Sequence, residues 1–433
     1  MARAARAAYN LAMPEGAPES ARVRAAGWLA MLALLAGVGL ALHASFDALV
    51  QPPNSDVDYY LRYMRAVAER GLGAFPELFR AYLAQREDWV YPNPTRLAFI
   101  TTSALWSKVF GATPRALAEL SLAAHLALIA LVWATSVRWF GSLRAFLGVA
   151  LVACSALLLG LARQALSDGF ATLTQVASVC LFLEYVRRPT RTRAVLAGSA
   201  FGLALLSKEL ALLLALPLLA HAALERRRSP DGPSLLSSGL VLALPAALGA
   251  GLLWLAAGGL SPLLGVLRIV LTSPATNEYA KVFGSGGWFR YPIDELLMSP
   301  WPTLCGLAGV VAALLAWRRG SYQGVPVALA LVYVLQVTAL ASFTKNLRYV
   351  AVLEVPLRLL AVGLLWEFFA AGRRRLGRAA CTLAVVLLCT SGWRDYRHVW
   401  LVWRTYDPMT TVLAGVRGLI PLDPHLTTVP DGR

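Results

Sequence analysis

The chain has 433 residues, of which 58% are hydrophobic and only 15% charged, and it carries a formal net charge of +16. Soluble domains are nearer a quarter charged, so this balance excludes an ordinary soluble globular protein. The positive charge sits in short clusters between apolar runs, the pattern of a polytopic membrane protein rather than of a nucleic-acid binder.

Residues 1–26 form a basic tail with Arg3, Arg6, Arg22 and Arg24. The stretch GWLAMLALLAGVGLALHA (27–44) follows without a formal charge. Its length matches about 30 Å of hydrocarbon. A cleaved signal peptide is the rival reading, but the residues before His43 and Ala44 make a poor small-x-small cleavage site and more spans follow. The basic tail places the N-terminus inside, so residues 45–115 form a first outer loop. There, NSDVDYYLRYMRAVAERG (54–71) predicts a helix: Tyr59, Tyr60, Tyr63, Val67 and Leu72 recur at roughly helical spacing, and Ser55 and Asp56 suit its N-cap. YPNPTR (91–96) then breaks regular structure.

Further basic clusters are Arg138 with Arg144, then 187–193, 225–228, 317–320 and 372–378. If all lie inside, an even number of spans separates each neighbouring pair. The 31 apolar residues at 194–224 would make one helix about 46 Å long, which overshoots a single crossing. Two short spans turning at Ser207-Lys208-Glu209 satisfy both length and parity. The same logic pairs spans near 145–162 and 169–186, and near 325–341 and 349–370, turning at 162–169 and 342–349. An outer loop at 258–298 joins spans near 235–257 and 299–317. A last span near 379–392 leaves a tail, 393–433, outside. The expected fold is therefore all-α and polytopic: about 11 transmembrane helices within 27–392, with helical outer-face loops. Gln175, Glu184 and the shortness of 194–206 make spans four to six the least regular.

This topology gathers the unusual polar residues on the outer side. Asp56 and Asp58 lie in the first outer loop, Arg163 and Asp168 in the second turn, and Lys208 and Glu209 in the third. Asn277, Glu278, Lys281 and Arg290 lie in the fourth loop, and Lys345, Asn346 and Arg348 in the fifth. Five turns contributing charge to one face suggest a single electrostatic site. The five cysteines fall within apolar runs without metal-ligand spacing, and read as small buried apolar residues. His125 lies in a span without a second ligand at metal spacing and reads as structural.

Lysine and arginine at such a face suit a lipid-borne phosphate. A neighbouring carboxylate could accept a proton from an attacking hydroxyl or amine. Together these groups describe glycosyl transfer from a polyprenyl-phosphate sugar, with the cations stabilising charge on the departing phosphate.

SDVDYYLRYMRAVAERG, placed after a first inward-starting span, resembles the first-loop signature of GT-C superfamily glycosyltransferases. It is nearest to bacterial relatives of protein O-mannosyltransferases and aminoarabinose-lipid A transferases. Asp56 and Tyr60 match that signature; Val57 stands where Glu is common, and Asp58 turns the motif into D-x-D. GLALLSKELALLLALPLL (202–219), SGGWFRYPIDELL (285–297) and KNLRYVAVLEVPLRLL (345–360) resemble later family segments. The resemblance covers about 30–370. It implies catalysis by Asp56 or Asp58, and substrate binding by Lys208, Lys345, Arg348, Tyr60 and Asp168. It implies a polyprenyl-phosphate sugar as donor, with a lipid, glycan or protein acceptor. No metal-ligand set is assigned, and the sequence neither requires nor excludes a divalent ion. No nucleic acid is expected as a partner. The expected place is a bacterial cytoplasmic membrane, with the site on its outer face. A lipid-sugar transporter is the main rival; it would carry internal repeats and charges near the bilayer midplane. An inactive scaffold is the third reading. Between the two, the resemblance implies Asp56 as the base, because its spacing to Tyr60 matches the family signature.

Overall fold

The computed structural model describes residues 21–45, 55–229, 232–276, 281, 286–319, 324–370 and 374–421. Asn277 and Glu278, most of the N-terminal tail and residues 422–433 lie outside these. Among the described residues the secondary structure is helical, with no strand.

Helix α1 (Ala21–His43) is the first span. Between α1 and the central bundle lie α2 (Asp56–Arg70), α3 (Phe75–Ala84) and the apolar α4 (Leu97–Phe110). The predicted helix at 54–71 is thus present, but three helices occupy a loop read as one helix and a break. The central bundle follows with α5 (Pro114–Phe140), α6 (Ser142–Ala153), α7 (Ala156–Leu161), α8 (Ser167–Arg187), α9 (Arg191–Ser207) and α10 (Ala215–Arg228). Next come α11 (Leu235–Ala257), α12 (Leu260–Thr276), α13 (Arg290–Met298), α14 (Pro300–Arg318), α15 (Gly324–Ala339), α16 (Glu354–Ala370) and α17 (Arg374–Tyr396). The chain closes with a π-helical turn, Arg397–Val402, and a short helix, α18 (Thr410–Val416).

Helical segments occupy every predicted span position. Among the described residues, six helices, α1, α5, α8, α11, α14 and α17, are long and apolar enough to cross a bilayer by themselves. Helices of this length and composition make the chain a multi-pass membrane protein. Exposure agrees. Leu236, Leu244, Leu248 and Leu255 of α11 are open to the surroundings, which in a membrane means acyl chains, whereas α8 is almost entirely buried.

The span breaks follow local chemistry. Ser155 interrupts the α6–α7 span, and its hydroxyl accepts the Leu158 amide to start α7. Lys208 interrupts 194–224 where the length argument requires; a 3-10 turn, Glu209–Leu214, leads into α10. Two more 3-10 turns, Leu347–Tyr349 and Ala351–Leu353, precede α16. The three breaks that carry Asp168, Lys208 and Arg348 meet at one end of the bundle.

Behind that end, α14 and α16 pack closely because Gly306 and Gly309 have no side chains. A Cβ on Gly309 would stand 2.5 Å from the Leu360 carbonyl oxygen. Close backbone approach of this kind drives helix association where no hydrophobic effect operates. A buried pair, Glu354 with Arg358, is held by Ser155 Oγ donating to Glu354 at 2.5 Å and by Arg358 donating to Thr303 Oγ1 at 3.4 Å. It ties α16 to α7 and α14 and so fixes the segment that carries Arg348.

Candidate active site

Asp56 is the first residue of α2, and Ser55 caps that helix with its side chain accepting the Val57 amide. Asp168 sits in the first turn of α8, buried. Lys208 ends α9 in an extended conformation, φ −163° and ψ 128°, which throws its side chain out of the helical path. Arg348 lies in a 3-10 turn started by Asn346, whose side chain accepts the Arg348 amide at 3.0 Å.

These four side chains converge. Lys208 Nζ lies 2.5 Å from Asp168 Oδ1, donates to the Arg348 carbonyl at 3.3 Å, and stands 4.6 Å from the Tyr349 ring centre. Arg348 Nη1 lies 3.2 Å from Asp56 Oδ2 and 3.9 Å from Asp168 Oδ2. Its Nη2 lies 2.9 Å from Asp407 Oδ1. The Lys208 side chain is 4% exposed, so it is a buried ion-pair partner and not an interfacial lysine reaching for water. Asp56, at 23%, is the most open member of the group.

Tyr60 adjoins the cluster. Its hydroxyl shares a 2.6 Å hydrogen bond with Ser167 Oγ, and Arg96 Nη1 donates both to Tyr60 and, at 3.0 Å, to Ser167. Thr95, beside Arg96, donates to Glu209. The Nε atoms of Arg96 and Arg348 are buried without a hydrogen-bond partner. Such donors are costly to leave unmet and suit an anionic ligand.

Burial raises the carboxyl of Asp56 above its ordinary value of 3.8. Arg348 opposes that rise, Asp407 adds to it, Arg96 opposes it and Asp168 adds to it. A carboxyl so placed holds a proton more readily than a solvated aspartate, as a general base needs.

Two sequence candidates stand apart. Asp58 is exposed and closes a capping box, accepting the Ser55 amide at 3.3 Å. Two positions along a helix turn about 200°, so Asp58 points away from Asp56. It borders a separate surface hollow of about 500 Å³ with Arg62 and Arg65. Lys345 donates to the carbonyls of Ala341 at 2.6 Å and Phe343 at 2.5 Å, and so closes its own turn. Asp88, the acid late in the first outer loop, is held by Tyr59 at 2.7 Å and Arg62 at 2.9 Å, both on α2.

Sequence reading missed Asp407, Arg96 and Ser167. Arg96 ends a motif read only as a helix breaker, and Asp407 lies in a tail with no periodic pattern. Among the described residues, no group of three or more His, Cys, Asp and Glu side chains is disposed to hold a metal ion.

Asp58→Ala provides a direct check on the cap. It should lower helix stability by about 0.3–1 kcal/mol through the lost first-turn acid. A modest fall in melting temperature, with turnover reduced far less than in Asp56→Asn, is the expected result. Equal loss of turnover in the two variants would show that Asp58 does more than cap.

Residues 97–253 match the family described as dolichyl-phosphate-mannose-protein mannosyltransferase. This segment holds Asp168 and Lys208. The fold is similar to ArnT from Cupriavidus metallidurans in the apo state, with a TM-score of 0.51, 16% identity, and coverage of 86% of this chain and 76% of that one. The same protein bound to undecaprenyl phosphate gives 0.50 and 15%, covering 84% and 75%. The Archaeoglobus fulgidus oligosaccharyltransferase tethered with an acceptor peptide gives 0.53 and 16%, covering 84% of this chain but 54% of that one. The chain thus spans about half the length of that enzyme. No curated protein is detectably similar in sequence. The fold is the GT-C fold that the first-loop signature implied, and the matched family is one of glycosyltransferases.

Proposed function

We propose that this GT-C-type glycosyltransferase moves a sugar from a polyprenyl-phosphate-linked donor to an acceptor at the outer face of a bacterial cytoplasmic membrane. The observation that carries this reading is the single cluster in which Arg348 meets Asp56 and Asp168 while Lys208 pairs with Asp168. A candidate base paired with one cation, and a second cation held beside it through Asp168 and the Arg348 carbonyl, suit nucleophilic displacement at a glycosyl phosphate.

In the proposed reaction an acceptor hydroxyl or amine attacks the anomeric carbon. Asp56 takes its proton. The bond from that carbon to the phosphate oxygen breaks, the electron pair leaves with the polyprenyl phosphate, and the configuration inverts. Lys208 and Arg348 stabilise the departing phosphate, with Arg96 adding positive charge beside them. Asp168 orients Lys208, and Tyr60 with Ser167 orients Arg96. The undecaprenyl phosphate bound to the ArnT neighbour supports a lipid phosphate as the group these cations hold. Asp58 and Lys345 take supporting roles, as a helix cap and a turn closure. Sugar and acceptor are to be found by assay.

The test is transfer by the purified full chain in liposomes, offered a panel of polyprenyl-phosphate sugars. Release of polyprenyl phosphate with one donor, coupled to loss of that donor, is the expected result. Donor movement between leaflets with no bond cleaved would favour the transporter reading instead.

A further inference from the structure

The segment after the last long helix folds back onto the site. The π-helical turn Arg397–Val402 and a left-handed Arg404, φ 49°, reverse the chain. Several contacts beyond Asp407 then hold the returning segment. Gln164 Nε2 donates to the Tyr406 carbonyl at 3.0 Å, and the Met409 amide donates to the Asp407 carbonyl at 2.9 Å. Arg290 donates to Thr410, and Arg417 donates to the carbonyls of Leu297 and Met298 at 2.7 and 2.8 Å. The Tyr406 ring lies 5.6 Å from the Arg348 guanidinium carbon.

Asp407 divides the guanidinium of Arg348. Its Oδ1 takes Nη2 at 2.9 Å and is steadied by Asn346 Nδ2 at 3.1 Å. Asp56 receives only Nη1, at 3.2 Å. An arginine without that second partner is free to close both tines on one carboxylate, in bonds of about 2.7–2.9 Å. A base gripped in this way is a poor proton acceptor.

We propose that Asp407 is a positioning residue: by holding one tine of Arg348, the C-terminal segment keeps Asp56 from being gripped by both and leaves it available as the base. This rests on the proposed role of Asp56. The charged and titratable groups facing Asp56 are Arg348, Asp407, Arg96, Asp168, Tyr60, Tyr349 and Tyr406. Of these, Asp407 and Tyr406 come from the C-terminal segment, and Asp407 is the carboxylate that takes Arg348 Nη2, the tine Asp56 does not.

The experiment compares pH profiles of turnover for the full-length chain and for Asp407→Asn, Asp407→Glu and Asp56→Asn. Removing Asp407 deletes a like charge and frees Arg348 to close on Asp56. Both effects lower the proton affinity of Asp56, so the acid limb of the kcat profile moves to lower pH. The weaker base should reduce plateau kcat by about tenfold, with donor KM near the parent value. Asp407→Glu keeps the charge and should return both limb and kcat towards the parent. A contact that served folding alone would lower the melting temperature and active fraction without moving the limb.

An unmoved limb in Asp407→Asn, with Asp56→Asn inactive, overturns this proposal alone. Retained turnover in Asp56→Asn removes the base assignment and this proposal with it. A several-fold fall in donor KM with undiminished kcat in Asp407→Asn also overturns it, because Asp407 would then be competing with the donor phosphate. A limb shift in Asp407→Glu equal to that in Asp407→Asn would do the same, since charge would not be the cause.

Discussion

Asp56→Asn should lower turnover by about 10²–10⁴-fold, the usual contribution of a positioned general base. The substitution keeps size and removes the proton acceptor, together with the charge that faces Arg348 at 3.2 Å. Its neighbours limit the structural damage, since Ser55 caps α2 without help from the Asp56 side chain. Donor binding should stay near the parent value, because the groups assigned to the phosphate are cations. The pH dependence sharpens the test. The base works ionised, and burial sets its pKa above 3.8, so turnover should rise with pH through a limb above the ordinary aspartate range. In Asp56→Asn that limb should be absent from the residual activity. Single-turnover measurements with saturating donor, across pH, read both quantities. Full activity with the limb intact would place the base elsewhere.

Arg348→Ala should produce the broadest loss. The side chain is 9% exposed and joins three carboxylates contributed by α2, by α8 and by the C-terminal segment. Its removal takes from Asp56 and Asp407 the guanidinium they share, while Asp168 keeps Lys208 at 2.5 Å. Breaking a buried pair from one side typically costs about 3–5 kcal/mol, because the surviving charge is left uncompensated. We expect a lower melting temperature in detergent, weaker donor binding and lower turnover together. Arg348→Lys should recover part of the stability but less of the binding, since an ammonium cannot serve several carboxylates from one planar fork. The contrast with Asp56→Asn is diagnostic. That variant loses kcat alone, whereas Arg348→Ala loses kcat, affinity and stability. Parent-like donor affinity in a folded Arg348→Ala protein would detach this residue from the phosphate.

The span pattern was legible because a bilayer imposes a length on apolar runs and the positive-inside rule imposes parity on basic clusters. Those two constraints put a break at Lys208 inside an unbroken apolar stretch, and the structure has it there. They also assigned Asp168 and Arg348 to turns expected on one side, the second and the fifth. Outer-loop detail was less legible. The helices α4 and α12 have apolar patterns that span counting absorbed into loops, since an extra crossing at either place would break the parity between basic clusters.

Sequence alone determined a helical, multi-pass membrane protein, because hydrophobic length and charge sign are local properties, and the resemblance of its first-loop motif implied the GT-C fold. Which charged residues meet was decided only by tertiary structure. Asp56 and Asp58 are nearly equivalent in sequence, yet helix geometry turns one towards Arg348 and the other to solvent. Lys208 and Lys345 both occupy turns, yet one pairs with Asp168 and the other closes on Ala341 and Phe343. Asp407 and Arg96 carry no pattern at all. They reach the site because a π-turn, a left-handed residue and the break at 91–96 bring distant chain to one point, and periodicity holds no record of long-range contacts.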